Sequence, residues 1–177
     1  KPRFKDIFSK SPSINCLSAA RLFLFAARDV WFVVALPVYL ASHLNWSHQA
    51  VGSFLALWII FYGLIQSFAP KISQRDKNQI PDGRSALKWA LLLVLPTILI
   101  AISLELESSH TWILLLGLLA FGALFAINSS LHSFLIIYYA SEDNVSLDVG
   151  FYYMANALGR LLGTVLSGWL FQVQGLS

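Results

Sequence analysis

Five long apolar segments recur along this chain of 177 residues, near 17–43, 50–70, 86–104, 112–139 and 149–172. Crossing the hydrocarbon of a bilayer takes about 20 mostly apolar residues. A buried soluble helix can imitate one such segment; five in succession point to a membrane. Open sheets would leave unpaired edges in lipid, so the segments are read as helices. The expected fold is therefore an all-α membrane protein with five transmembrane helices. Composition agrees: 12% of residues are charged, against about 25% in an average soluble domain, and mean hydropathy is +0.67. That balance argues against a water-soluble enzyme and against a disordered tail. A net charge of +3 is too small and too localised for a surface that tracks nucleic acid. The single cysteine, Cys16, excludes an internal disulfide framework and any multi-cysteine zinc site.

Charge placement orients the spans. Lys1, Arg3, Lys5 and Lys10 precede the first segment, and Lys71, Arg75, Lys77, Arg84 and Lys88 surround the second connection. The first and third connections hold no Lys or Arg. Residues 1–16 and 71–88 are thus expected in the cytoplasm, with 44–49 and 105–111 outside. The fourth connection, cytoplasmic by alternation, carries Glu142, Asp143 and Asp148, and acidic residues weigh little in this rule. The domain organisation expected is a cytoplasmic segment, 1–16, followed by a membrane part, 17–177. Trp46 and Trp112 are natural interface anchors. Pro37 and Pro96 lie inside spans and are expected to kink them. The only methionine is Met154 and the number of spans is odd, so a preceding half and a sixth helix are expected beyond this chain.

Polar groups at membrane depth carry the functional signal. The purely apolar part of the first segment, Val30 to Leu44, is too short to span, so the helix must extend back through Asp29, Arg28 and Arg21. Arg28 then lies ~15 Å into the helix, near mid-bilayer. A charge there costs at least ~2.5 kcal/mol on insertion scales and normally faces a partner or a wet cavity. Arg21 and Arg28, seven residues apart, share a face. Arg160 reaches a similar depth in the fifth segment, which allows a pair with Asp29 and would leave Arg28 free. Two readings stand: structural neutralisation, or handling of substrate and protons. Asn156, Arg160 and Thr164 form a polar stripe, and Ala155, Gly159, Gly163 and Ser167 form a small-residue face suited to close helix contact. Trp58, Tyr62 and Gln66 repeat every four residues, as either a cavity lining or an aromatic packing seam. Asn128 and His132 are i, i+4 partners; His132 is either a proton shuttle or a core histidine bonded to a neighbouring helix.

Enzyme chemistry finds no purchase. There is no HExxH zinc motif, no GxSxG elbow and no phosphate-binding Walker loop. Ser129 near His132 suggests a hydrolase only weakly, because no glycines surround Ser129 to form an oxyanion hole. No catalytic residue, metal or cofactor is expected.

Several stretches resemble a known family. They are KPRFKDIFSKS, LSAARLFLFAARDVWFVVALPVYL, GSFLALW, PDGRSA, FGALFAINSSLHS and SLDVGFYYMANALGRLLGTVLSGW, which together cover most of the chain. The chain resembles the C-terminal half of a major facilitator superfamily transporter, from the central cytoplasmic loop through helix eleven of twelve. Within that superfamily it is most similar to the organoarsenical efflux permeases, on ARDVWFVV and INSSLHS above all. The resemblance implies a bacterial inner-membrane antiporter in arsenic resistance that exports 1-arseno-3-phosphoglycerate. It also implies a functional link to the glyceraldehyde-3-phosphate dehydrogenase that makes this conjugate.

The residues themselves fit an oxyanion cargo. Guanidinium forks suit phosphate, arsenate and carboxylate groups, whereas soft trivalent arsenic calls for several thiolates and only Cys16 is present. Arg28 and Arg160 are expected to bind the anion, with Asn128, Asn156, Trp58, Tyr62 and Gln66 as neutral contacts. Asp29 or His132 is expected to respond to protons or to serve as a charge pair. The partners expected are a small organic anion, the lipid bilayer and the other half of the transporter, with no nucleic acid. The alternatives are a carrier for another solute (a sugar phosphate, drug or weak acid) and a non-transporting membrane scaffold.

Overall fold

The computed structural model describes residues 11–73, 81–105, 111–140 and 145–174, and every element among them is a helix. In chain order these are α1 (Pro12–Phe32), α2 (Ala35–Ser42), α3 (His48–Ser73), α4 (Gly83–Leu92), α5 (Val94–Glu105), α6 (Thr111–Tyr139) and α7 (Val145–Gln174). The cations Lys1, Arg3, Lys5, Lys10, Arg75 and Lys77 and the acids Glu142 and Asp143 lie outside the described residues.

Two of the expected spans are each a pair of helices, and proline chemistry explains where they divide. A proline has no N–H to give the carbonyl four residues earlier. For Pro37 that carbonyl belongs to Val33, and the chain leaves helical geometry between Phe32 and Ala35. For Pro96 it belongs to Leu92, and the break falls at Leu93. In lipid, backbone groups freed in this way need new partners. At the first break the Ala35 N–H donates to Ser167 Oγ at 3.2 Å. Each proline thus produces a break one turn before itself rather than a bend at its own position.

Local sequence sets the other boundaries. Asn45 has a positive φ of 55°, which its short polar side chain tolerates, and it turns the chain between α2 and α3. Ser47 Oγ then accepts the Ala50 N–H at 3.2 Å and caps α3. Asp82 caps α4, accepting the Ser85 N–H at 3.0 Å and the Ser85 hydroxyl at 3.1 Å. The backbone hydrogen bond from Ser85 holds the Asp82 carboxyl below the ordinary carboxylate range. A depressed folded pKa means that the cap acts fully at neutral pH and is lost as pH falls through that value. The protection factor of the Ser85 amide should therefore drop on acidification in the wild type and be low and flat with pH in Asp82→Ala. Hydrogen exchange followed by mass spectrometry reads both.

Four helical stretches are long and apolar enough to cross a membrane: Pro12–Ser42, His48–Ile72, Gly83–Glu105 and Thr111–Tyr139. Their outward faces are apolar, with Phe23, Leu57, Leu95 and Ile137 all largely exposed. Water would not tolerate so much exposed hydrocarbon, and lipid does; the protein is an integral membrane protein. The fifth expected span corresponds to α7, which at 30 residues is long enough, but Asp148, Asn156 and Arg160 make it more polar.

The chain divides into two compact units. One holds residues 36–131, from α2 through most of α6. There α6 supplies glycines that receive bulky neighbours: Gly117 faces Ile100 of α5, and Gly122 lies against the ring of Trp58 of α3. The Trp58 indole N–H donates to the Leu118 carbonyl at 2.8 Å. Tyr62 stacks on Trp58 at 5.9 Å and meets Phe125 at 6.0 Å.

The other unit holds residues 11–35 and 132–173. Here α1 buries Ile14, Leu17, Ser18, Arg21, Phe25 and Asp29, one face at three- and four-residue spacing. On α7 the buried positions are Asp148, Tyr152, Ala155, Gly159, Gly163 and Ser167. The two faces meet backbone to backbone, with Gly159 against Leu22 and Gly163 against Ala26. Cross-helix partners rise together along both helices (21 with 156, 22 with 159, 26 with 163), so α1 and α7 run parallel.

Candidate functional site

The polar centre of this second unit grows out of that close packing. Because Gly159 and Gly163 have no side chains, α7 comes near enough for short polar reaches from α1 to meet it. Asp29 is fully buried, and each of its oxygens accepts from a different guanidinium. Arg28 Nε donates to Oδ1 at 2.5 Å, and Arg160 Nε donates to Oδ2 at 3.3 Å. The pair expected between Asp29 and Arg160 is present, but the expectation that it leaves Arg28 free is corrected. Arg28 directly precedes Asp29 on the same turn, and its long stem folds back onto the same carboxylate. The two cations differ in setting: the Arg28 side chain is 13% exposed and that of Arg160 57%. Arg160 is thus the member of the trio that an incoming group can reach.

Two turns toward the start of α1 lies a third cation. Arg21 is 5% exposed, its Nε donates to Asn156 Oδ1 at 3.2 Å, and its Cζ sits 4.0 Å from the Phe25 ring centre. The Tyr152 ring lies 5.2 Å away on α7. Arg28 also rests on Phe25, with Cζ 4.8 Å from the ring centre. A single ring therefore contacts two guanidiniums. These cation–π contacts are worth up to ~2 kcal/mol each when desolvated. The sequence reading assigned Asn156 to the site and passed over the role of Arg21. The available signal was the heptad Arg21, Phe25, Arg28, which places an aromatic ring between two cations on one helical face.

The remaining candidates are distributed as follows. His132, in the last part of α6, is buried, its Nδ1 has no hydrogen-bond partner, and Arg21 acts on it electrostatically. Ser18 Oγ, one turn before Arg21, is also buried without a partner. Thr164 is half-buried on α7. In the unit of residues 36–131, Asn128 is fully buried and neither amide atom has a partner. Trp58 and Tyr62 pack against α6 as described, and Gln66 is half-buried on α3. A buried polar atom without a partner costs about 1–3 kcal/mol. Such atoms mark places that a ligand or water completes.

Chemically, the centre of the second unit concentrates positive charge. Its described residues include Arg21, Arg28 and Arg160 against Asp29 and Asp148. An excess cation at membrane depth is costly unless something anionic visits it. Residues 17–176 match the family model described as Major Facilitator Superfamily. No curated protein and no solved structure matches the chain.

Proposed function

The chain belongs to the major facilitator superfamily, a family of transporters, and from that premise we propose that it exports a small organic anion. The cargo we propose is the organoarsenical 1-arseno-3-phosphoglycerate, in arsenate resistance, because the chain resembles the organoarsenical efflux permeases. The observation that carries the anion reading is the excess of guanidinium over carboxylate around Asp29. Arg28 and Arg160 bind the anionic group, and Asn156 supports them by orienting Arg21. Asp29 or His132 responds to protons, which suits a proton-driven antiporter. The site is completed by the rest of the transporter, since carrier sites form between repeats near the midplane. The protein sits in a bacterial inner membrane with the start of this chain in the cytoplasm, downstream of the dehydrogenase that generates the conjugate.

Radiolabel flux in everted vesicles carrying the complete transporter tests this reading. Wild-type vesicles should accumulate the arsenate conjugate in preference to sugar phosphates and other weak acids. Arg28→Ala should lower that accumulation by about tenfold or more, the worth of one lost charge-assisted hydrogen bond, with membrane insertion unchanged. Equal uptake of all the anions would reassign the carrier to another solute, and normal uptake by Arg28→Ala would remove Arg28 from the site.

A further inference from the structure

We infer that the start of α4 binds an anionic glycerophospholipid, with Arg84 and Lys88 gripping the headgroup phosphate and the apolar face below them receiving an acyl chain. This site serves the lipid around the protein and is independent of the cargo. One face of the span Gly83–Glu105 changes character along its length. The packed face carries Ala86, Leu93, Ile100 and Ser103, all buried. On the outward face Arg84, Lys88, Leu91, Leu95, Ile98 and Ile102 recur at spacings of four and three, and all six are exposed. That stripe is polar only at its head. At a rise of 1.5 Å per residue, Lys88 lies about 6 Å below Arg84 and Leu91 about 5 Å further down. The cations thus stand at headgroup depth and the leucines at the depth of the chains.

The two cations suit a single phosphate. As i, i+4 neighbours their Cβ atoms are about 6 Å apart, so both side chains reach one group between them. The guanidinium supplies a fork and the ammonium a compact charge. Among the described residues, neither the Arg84 guanidinium nor the Lys88 ammonium makes an ion pair or a hydrogen bond. The adjoining acid, Asp82, turns its carboxylate to the Ser85 N–H and hydroxyl, so it offsets part of the positive charge without closing the site. Below Lys88 the stripe is hydrocarbon alone, with Leu91 61% and Leu95 64% exposed. A dissolved phosphate would leave those leucines uncovered, whereas a lipid covers them with its chain while its head meets the cations. The feature belongs to one border of the membrane: residues 105–111, at the far end of the same span, contain no Lys or Arg.

The test is photo-crosslinking in the complete transporter, reconstituted in phosphatidylcholine bilayers. A trace of probe lipid carries a diazirine beside its headgroup, either as phosphatidylglycerol or as phosphatidylcholine with the same chains, and the labelled positions are mapped by mass spectrometry. Residues 83–92 should take the anionic probe about tenfold or more in preference to the zwitterionic one, as two cations beside an anionic head imply. The segment around Trp112, exposed at the opposite border, is the internal reference and should show no preference. Unlabelled phosphatidylglycerol should compete for 83–92, and inorganic phosphate at the same concentration should not. In the double variant Arg84→Gln, Lys88→Gln the preference at 83–92 should fall to within twofold. Equal labelling by the two probes, an equal preference at Trp112, competition by inorganic phosphate, or a preference that survives the double variant overturns the lipid site and leaves the anion carrier standing. The comparison of probes is made on the unaltered protein, so it decides the matter even where the variant does not fold.

Discussion

Replacing Asp29 with alanine should cost about 3–5 kcal/mol of folding stability, the range seen when one partner of a buried ion pair is removed. The carboxylate is fully buried and answers two guanidiniums, one on each oxygen. Without it Arg28, whose side chain is 13% exposed, keeps its charge inside the bundle with no counter-charge at that position. Arg160→Gln should cost much less, because its side chain is 57% exposed and can be solvated or screened. The ordering Asp29→Ala worse than Arg28→Gln, and Arg28→Gln worse than Arg160→Gln, is read from thermal unfolding in detergent. A still more discriminating variant replaces Arg28, Asp29 and Arg160 together with leucine. Buried ion groups exchanged for apolar side chains of similar volume are often neutral or stabilising. The triple variant should therefore regain stability close to wild type while exporting nothing. Wild-type stability in Asp29→Ala would show that the carboxylate is not what neutralises these arginines.

Gly159→Leu should prevent accumulation of folded protein, and Gly159→Ala should cost about 1–3 kcal/mol, the usual range for overpacking a tight interface. A Cβ at Gly159 would run into the Leu22 carbonyl oxygen and stand 2.9 Å from that residue's carbonyl carbon and Cα. These are backbone atoms of α1, so no side chain can swing aside and the helices must separate. Gly163 meets the same obstacle, 2.7 Å from the Ala26 carbonyl oxygen and 2.9 Å from Asp29 Cβ. Separation at either position pulls Asp29 away from Arg160, so the packing and the charge cluster should fail together. Gly150 is the control on the same helix, since nothing lies within 4 Å of a Cβ there. Gly150→Ala should gain about 0.5–1 kcal/mol from helix propensity. Thermal unfolding of the two alanine variants side by side decides the point. If Gly159→Ala unfolds no earlier than Gly150→Ala, the α1–α7 contact is not as close as described.

The small-residue face on α7 was legible because a period of four in Ala155, Gly159, Gly163 and Ser167 has one physical meaning in a long apolar helix. The identity of the opposing helix was not legible, since any of four others could have filled that groove. The same limit explains the treatment of Arg28. Depth in the span, counted at 1.5 Å per residue, put Asp29 level with Arg160, and the pair followed. Depth alone says nothing about a neighbour on the same turn, and the fold back of Arg28 onto Asp29 depends on rotamers. Trp58 carries a similar lesson: its stripe with Tyr62 and Gln66 reads equally as lining or seam. Its packing is set by Gly122, sixty-four positions later, which makes room for the indole.

What amino-acid order determined by itself is whatever depends on local chemistry and on the solvent: helices rather than sheets, a lipid surroundings, breaks near Pro37 and Pro96, and charges too deep to be accidental. These follow from hydropathy, backbone hydrogen bonding and rise per residue, which need no knowledge of a partner. Tertiary structure alone decided who answers whom. Arg21 was brought to Asn156 and shares the Phe25 ring with Arg28, and Asp29 serves two arginines from two helices. Such contacts join groups up to 135 positions apart, and their strength depends on distance and burial, quantities that exist only once α1 and α7 have packed.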